Sequence, residues 1–203
     1  MENQKPKASF LQKHPMIRDG IGIAGFIVAV LVGTFILNSY VFRSYNVIGR
    51  SMESTLSHGD RILVNRLPVT WAHLRNQYYQ PERGQIIVAE NPHNSGGGDR
   101  FIIKRVIAFA GERVVVQDGV LTVFNDEWPE GFKPDGDFAA ELVGITSGSI
   151  DVIVPAGEVF VSGDNREGTN SHDSRNGLGT VPQFDIIGPA GIRIWPLNRI
   201  RTF

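Results

Sequence analysis

The most pronounced pattern along the chain is a segment without a charged residue at positions 20–42. At 1.5 Å per residue, a helix of this length would span about 34 Å, enough to cross a hydrocarbon core of ~30 Å. A buried core helix is rarely so long and uncharged. A cleaved signal peptide has a shorter apolar core followed by small residues, and Asn38-Ser39-Tyr40 is a poor cleavage site. The pattern therefore predicts a retained transmembrane helix.

The charges that flank this segment predict its orientation. Positions 1–19 carry four basic residues, whereas the other flank has a weaker pair; these residues are Lys5, Lys7, Lys13 and Arg18, and then Arg43 and Arg50. The positive-inside rule places the more basic end in the cytoplasm. We therefore expect a cytoplasmic tail at 1–19, one span of the cell membrane at 20–42 and an extracytoplasmic domain at 43–203.

The rest of the chain alternates short apolar runs with glycine and proline turns, which is typical of antiparallel β-structure in a sandwich or barrel. The predicted strands are 61–64, 85–89, 101–108, 113–117, 120–124, 152–154, 158–162 and 191–195. Asp118-Gly119 is a strong hairpin signal, and 72–79 is the best candidate for a short helix. Positions 91–99 and 125–137 are expected to form a flexible loop and a surface loop, respectively.

Composition excludes several classes of protein. The 203 residues are 41% hydrophobic and 20% charged, which suits one folded domain with an appendage. The net charge of −1 argues against a general nucleic-acid binder. The absence of cysteine from the sequence excludes disulfides, thiolate metal sites and cysteine nucleophiles.

The remaining candidates for chemistry are serine nucleophiles. The motifs H-E-x-x-H and G-x-S-x-G do not occur. His172 lies beside Asp173 and Ser174, but sequence neighbours rarely form a catalytic triad. A serine can instead use a lysine as its base. Such a lysine must be neutral, and burial among apolar side chains lowers its pKa from the usual ~10.4.

Two lysines lie after the predicted membrane segment, and their surroundings differ. Lys133 lies in the proline- and glycine-containing loop, where water is expected to reach it. Lys104 interrupts an apolar run, and strand alternation places it on one face with Ile102 and Val106. Two interpretations remain open at this point: a buried base, or an ordinary lysine extending to solvent from an edge strand.

Five segments, in the right order behind the apolar segment, resemble the conserved boxes of type I signal peptidases, the membrane-bound Ser–Lys proteases of family S26. They are 45–67 (YNVIGRSMESTLSHGDRILVNRL), 83–89 (RGQIIVA), 101–112 (FIIKRVIAFAGE), 154–181 (VPAGEVFVSGDNREGTNSHDSRNGLGTV) and 193–200 (RIWPLNRI). The resemblance implies a mostly β, antiparallel catalytic domain behind one N-terminal transmembrane helix. It also implies an endopeptidase that cleaves signal peptides from exported preproteins after small residues.

The resemblance assigns roles residue by residue. Ser51 would be the nucleophile and Lys104 the general base. Ser171 would hydrogen-bond the lysine amine, and Asp173 would pair with Arg175. Supporting roles would fall to Ser174 and Asp164, and Gly49 would lie near the oxyanion site.

Substrate binding is likewise implied by the resemblance. The cleavage region of the substrate would add as a strand beside 101–104 and 46–49. Small pockets would select Ala-like residues and would be lined by Val47, Met52, Leu56, Ile102 and Ile103. The expected partners are signal peptides of preproteins and the lipid bilayer, without nucleic acid, metal or cofactor.

The sequence departs from the family pattern at four places. Ser54 replaces a proline, Gln85 replaces an aspartate, and the gap between Arg166 and Ser171 is longer by about two residues. Gly49 stands where some members have an oxyanion-binding serine, so the oxyanion would rest on the Ser51 backbone N–H, aided by the Gly49 region.

Two other functions are consistent with parts of the pattern. A cytosolic self-cleaving repressor of related fold would also use serine and lysine, but it would need a DNA-binding domain and no anchor. A catalytically inactive membrane protein could capture signal peptides, but the intact Ser51 and Lys104 argue against it.

Overall fold

The computed structural model describes residues 14–93 and 100–203. It divides into an N-terminal helical unit that ends at Tyr40 and a compact β-rich unit, Val41–Phe203. Strands dominate the second unit, and all strand pairs are antiparallel. The predicted fold class, a mostly β domain with one N-terminal apolar helix, is confirmed.

The N-terminal unit contains helix α1, Pro15–Ile36, and most of a π-helical turn, Leu37–Val41, whose last residue begins the β-rich unit. Proline suits the first turn of a helix because its missing N–H would be unpaired there in any case. Among the described residues, Pro15–Val41 is the one helix long and apolar enough to cross a membrane, with a mean hydropathy of 2.5. The helix thus begins five residues before the predicted boundary, and Phe42 belongs to a strand.

Eleven strands in the described part of the β-rich unit form two sheets. The larger sheet has the order β1-β2-β10-β3-β4-β8-β9, with β11 beside β10, and the smaller has the order β6-β5-β7. The strands are β1 Phe42–Asn46, β2 Arg61–Asn65, β3 Ile86–Glu90, β4 Phe101–Phe109, β5 Arg113–Gln117, β6 Val120–Phe124, β7 Ile150–Ile153, β8 Glu158–Ser162, β9 Val181–Pro182, β10 Ile186–Trp195 and β11 Arg201–Thr202.

Strand β3 shows why the apolar runs are continuous in the centre of the larger sheet. Ile86 and Val88 pack into one buried cluster, while Ile87 and Ala89 pack into another. Alternate side chains point to opposite faces of a strand, so both faces of the sheet are covered here. The neighbouring strand β4 is therefore a central strand, held between β3 and β8.

The short helix α2, Leu67–Leu74, lies earlier than the predicted 72–79. Pro68 falls in its first turn, where proline favours helix initiation. Asn76 adopts φ 54°, a left-handed conformation that cannot continue a right-handed helix. The local signals at Pro68 and Asn76 outweigh the helix-forming composition farther along the chain.

Other differences concern strand length and loops. Strand β10 begins five residues before the predicted 191–195, with register shifts against both neighbours, and β1, β9 and β11 were not predicted. The predicted hairpin at Asp118-Gly119 is confirmed by the pairing of Gln117 with Val120. Most of the predicted loop 91–99 lies outside the described residues.

Glu112 joins three parts of the β-rich unit. Its carboxylate accepts hydrogen bonds from Arg83 at 2.7 and 2.9 Å, from the Phe109 N–H at 2.8 Å and from Asn125 Nδ2 at 2.8 Å. Burial alone raises the pKa of the Glu112 carboxyl, but these bonds and the charge of Arg83 outweigh it and hold the pKa below its usual value.

We predict that Glu112→Gln lowers the free energy of unfolding by about 1–3 kcal/mol at pH 7, because the charged acceptor is lost. A carboxyl whose pKa is lowered by folding stabilises above its unfolded pKa, ~4.3, and this contribution disappears as the pH falls through the folded pKa. Urea unfolding of the full chain in detergent at pH 7 and pH 3 measures both effects. Glu130→Gln, at an exposed position, is the control. Equal unfolding free energies for Glu112→Gln and the wild type at pH 7 would contradict the assignment.

Candidate active site

Ser51 and Lys104 are brought together by elements that are far apart in the chain. Ser51 lies in the turn after β1, and Lys104 lies in the middle of β4. Lys104 Nζ is 2.8 Å from Ser51 Oγ, within hydrogen-bond distance. This pair is the contact that a serine nucleophile and a lysine base require.

Lys104 is buried, with 5% of its surface exposed. It pairs with Ile87 across the sheet, and strand alternation places Ile102 and Val106 on its own face. The interpretation as a lysine extending to solvent from an edge strand is therefore wrong, because β4 lies between two other strands.

The turn Gly163-Asp164-Asn165 packs directly against the Ser51 turn. The Asn165 N–H donates to the Ser51 carbonyl at 3.0 Å, and Asn165 Nδ2 donates to the Arg50 carbonyl at 3.3 Å. A Cβ atom on Gly163 would overlap the Ser51 carbonyl and the Ser171 hydroxyl. Glycine is needed here because two segments approach its backbone so closely.

Arg105 faces the opposite side of β4 from Lys104 and anchors that side. Its guanidinium forms two hydrogen bonds with Asp164, at 2.8 and 2.6 Å, and Thr55 Oγ1 donates to the same carboxylate at 2.5 Å. Asp164 and Thr55 are fully buried or nearly so. The predicted supporting residue Asp164 thus joins β4 to the turn that carries Ser51.

Glu141 is part of this network, although the sequence did not single it out. Its carboxylate accepts from Arg105 at 2.6 Å and also pairs with Arg201, while its backbone carbonyl accepts from Ser54 Oγ at 3.1 Å. Ser54 is the residue that replaces the usual proline. The hydroxyl gained by this replacement ties the Ser51 turn to the segment at 136–141.

Asp173 organises a second buried polar cluster. It accepts from Ser171 Oγ at 2.6 Å, from the Gly163 N–H at 2.9 Å and from Arg175 at 2.8 and 3.0 Å. Burial alone raises the pKa of the Asp173 carboxyl. The charge of Arg175 and the hydrogen bonds from Arg175, Ser171 and Gly163 outweigh burial and leave this pKa below its usual value. The predicted Asp173–Arg175 pair is present.

Ser171 and Ser174 support neighbouring backbone segments. The Ser171 hydroxyl donates to Asp173, which leaves its oxygen as an acceptor, and its predicted hydrogen bond with the Lys104 amine stays a prediction. Ser174 Oγ accepts from the Val161 N–H and donates to the Gly179 carbonyl, and so secures the end of β8. The longer gap before Ser171 folds as a turn closed by a hydrogen bond from Asn170 to Glu167.

A cleft of about 580 Å³ lies in front of the Ser51–Lys104 pair. Four of the five predicted substrate-binding residues line it: Val47, Met52, Ile102 and Ile103. Leu56 does not, and its prediction is corrected. Its side chain is fully buried in the cluster that contains Ile62 and Val64, so it supports the cleft wall from behind.

The backbone at Gly49 is held by an imidazole that the sequence analysis left unassigned. The Gly49 N–H donates to His58 Nδ1 at 3.2 Å, and Gly49 adopts φ +88°, which favours glycine. This donor therefore points to His58 rather than toward an oxyanion. Gly49 and His58 are nine residues apart across the turn, which could have suggested their contact. The sequence alone did not distinguish His58 from the other polar side chains of that turn.

Comparisons with known proteins identify the family of this chain. The family model for signal peptidase, peptidase S26, matches residues 20–195. Signal peptidase I T of Bacillus subtilis (strain 168) is 32% identical over 177 residues, covering 86% of this chain and 84% of that protein. Signal peptidase I of Leptolyngbya laminosa is 31% identical over 204 residues, covering 97% of this chain and 88% of that protein. A crystal structure of a signal peptidase I from Enterococcus faecalis V583 matches at 25% identity with a TM-score of 0.41, over 56% of this chain and 98% of that one. The chain therefore belongs to the signal peptidases of peptidase family S26.

We predict that His58→Leu lowers kcat/KM for peptide cleavage by about fivefold, because the Gly49 segment beside Ser51 loses its hydrogen-bond acceptor. His58→Asn should restore most of the activity, because the asparagine Oδ1 is separated from Cα by the same number of covalent bonds as the histidine Nδ1. Steady-state kinetics and urea midpoints measured in parallel separate positioning from folding. A wild-type rate for His58→Leu, or an Asn variant as impaired as the Leu variant, would refute the role of this acceptor.

Proposed function

We propose that this chain is a membrane-anchored endopeptidase that uses Ser51 and Lys104 to cleave signal peptides from exported preproteins. The observation that carries the proposal is the 2.8 Å contact between Lys104 Nζ and Ser51 Oγ. The lysine is buried, and both residues line the cleft. The signal peptidases to which it is similar span nearly the same length of chain.

In the first step, Ser51 Oγ attacks the carbonyl carbon of the scissile peptide bond while Lys104 Nζ accepts the hydroxyl proton. Only a neutral amine can do this, and burial disfavours the ammonium form because water no longer solvates it. The tetrahedral intermediate then collapses, the C–N bond breaks, and Lys104 donates its proton to the departing amine. The product is an ester between Ser51 and the signal peptide, together with the free mature protein.

In the second step, water adds to the ester while Lys104 accepts a proton from it. Collapse of this intermediate moves that proton to Ser51 Oγ and releases the signal peptide with a free carboxyl group, which then loses its own proton to water. Two groups of this chain thus carry both halves of the reaction. The original Ser51 proton leaves with the amine, and water supplies the proton that restores the hydroxyl.

The negative charge on the intermediate needs a donor, and the Ser51 N–H is our candidate. No acceptor for this N–H occurs among the described residues, while its carbonyl is held by Asn165. The Gly49 N–H is engaged by His58. A single backbone donor would therefore bear most of the oxyanion stabilisation.

The cleft favours an extended substrate. The Val47 N–H and carbonyl pair with Asp60 and Gly59, at 2.8 and 3.0 Å, on the side away from the cleft. Strand alternation then turns the backbone groups of Ile48 toward the cleft, which residues 101–104 line on the far side. A peptide strand could pair along this edge. The branched and thioether side chains of Val47, Met52 and Ile103 would leave room for Ala-like residues only.

The apolar helix would hold the enzyme at the bilayer in which the substrate's own apolar segment is embedded. Confinement of both to one surface raises their effective concentration. The basic residues at 1–19 support a cytoplasmic N-terminus and a catalytic domain outside the cytoplasm.

We predict that Ser51→Ala, Lys104→Ala and Lys104→Arg each abolish cleavage of a preprotein with an Ala-x-Ala site. Arginine keeps the charge but cannot lose its proton in the working pH range. The Ser51→Ala/Lys104→Ala double variant should be no worse than either single variant, because nucleophile and base act as a unit. Gel analysis of purified full chain in detergent measures the rates.

Lys133→Arg is the matched control, because Lys133 is the exposed lysine of the same domain. It should cleave at the wild-type rate. Near-normal cleavage by Lys104→Arg would show that another group takes the proton, and the proposed mechanism would be wrong.

We predict that a protease added outside intact cells degrades the chain after Arg43 and leaves the N-terminal tail protected. An epitope at the N-terminus and an antibody against the catalytic domain would follow the two parts on immunoblots. Lysed cells are the control for protease access. Protection of the catalytic domain in intact cells would overturn the proposed orientation.

A further inference from the structure

Helix α2 presents an apolar face to solvent. Leu67, Trp71 and Leu74 are 48%, 57% and 72% exposed. Their spacing of four and three residues places them on one narrow face of the helix. Val69, on the opposite face, is buried and attaches α2 to the domain. The described residues of the β-rich unit therefore leave this outward face largely uncovered.

The start of α2 is fixed to the residue at which the membrane-compatible segment ends. That segment runs to Val41, and the Arg66 N–H donates to the Val41 carbonyl at 2.8 Å. Phe42, the next residue, pairs with Asn65 in the sheet. The helix thus starts where the chain leaves the bilayer, if Pro15–Val41 spans it.

The residues around this face suit a lipid headgroup region. The chain has no acidic residue from 66 to 81, and an arginine lies at each end of the helix, Arg66 at the N-cap and Arg75 at the C-cap. The Arg75 guanidinium lies 4.6 Å from the centre of the Trp71 ring. Tryptophan favours the membrane–water interface, and arginines beside it attract anionic lipids.

We propose that α2 lies in the outer interface of the bilayer, with Leu67, Trp71 and Leu74 inserted among the lipids and Arg75 at the headgroups. The 8-residue helix would be a second membrane contact in addition to the apolar N-terminal helix. Two contacts fix the rotation of a domain over the membrane, whereas one flexible attachment leaves it free to turn. This inference does not depend on the Ser51–Lys104 chemistry.

Tryptophan quenching by brominated lipids tests the contact directly. The full chain with Trp128→Phe and Trp195→Phe keeps Trp71 alone, and the chain with Trp71→Phe and Trp195→Phe keeps Trp128 alone. Trp128 is a matched control because it is 53% exposed, close to the value for Trp71. Each protein is reconstituted into phosphatidylcholine–phosphatidylglycerol vesicles, with or without bromine high on the acyl chain.

We expect brominated lipids to remove about half of the Trp71 emission and little of the Trp128 emission, as for a helix lying in the interface. Leu67→Ser/Leu74→Ser should reduce the Trp71 quenching by about twofold or more, since the buried apolar area falls. Ile153→Ser, at an exposed apolar residue elsewhere, should leave it unchanged.

Three results would overturn the proposal. Unquenched Trp71 with a solvent-like emission maximum would mean that the face stays in water. Unquenched but blue-shifted emission would mean that protein covers it, either a second copy or another chain. Equal quenching of Trp71 and Trp128 would mean that the contact is not specific to α2. The proposal rests on the proposed membrane anchor, but none of these readouts requires peptidase activity, so its failure is distinguishable from failure of the proposed catalysis.

Discussion

The buried ion pair between Arg105 and Asp164 is the interaction on which the site depends. Arg105 follows Lys104 in β4, and Asp164 follows Gly163 in the turn packed against Ser51. The two-point contact of guanidinium and carboxylate, at 2.8 and 2.6 Å, fixes both distance and angle. Because neighbouring strand residues face opposite ways, locking Arg105 on one face aims Lys104 at Ser51 on the other.

Burying these charges costs free energy, and the structure offsets the cost because each buried carboxylate accepts hydrogen bonds from several groups. Asp164 is bound by Arg105 and Thr55, and Asp173 by Arg175, Ser171 and a backbone N–H. Breaking one partner of such a buried pair typically costs 3–5 kcal/mol, because the remaining charge is left unpaired. A polar network of this kind is a weak source of stability but a strong constraint on geometry.

Much of the fold and the pairing of Ser51 with Lys104 could be predicted from the sequence, but the contacts around this pair could not. Alternation predicted that Lys104 shares a face with Ile102 and Val106, yet it could not tell an edge strand from a central one. That distinction depends on strand order, which brings β3 and β8 to the two sides of β4. The role of Ser51 came from the family resemblance alone, since no local pattern separates it from the other serines.

Residues that join distant segments were the ones missed or misplaced. Ser54 and Glu141 meet across 87 positions of sequence, and no periodicity reports such a contact. Leu56 was expected in the cleft from the family resemblance, but the turn directs it into the core. For α2, local turn chemistry at Pro68 and Asn76 was the deciding signal.

The hydrogen bond from Gly49 to His58 has a consequence for inhibition. Compounds that form a tetrahedral adduct with a serine gain affinity from each donor that meets the adduct's oxygen. Because the Gly49 N–H is bonded to His58 and glycine has no hydroxyl, position 49 would offer such a compound no donor. A missing donor is worth about 2.7–4 kcal/mol when the oxyanion forms. Inhibitors for this enzyme should therefore gain affinity from the apolar cleft and the open backbone edge of Ile48 rather than from an electrophilic warhead.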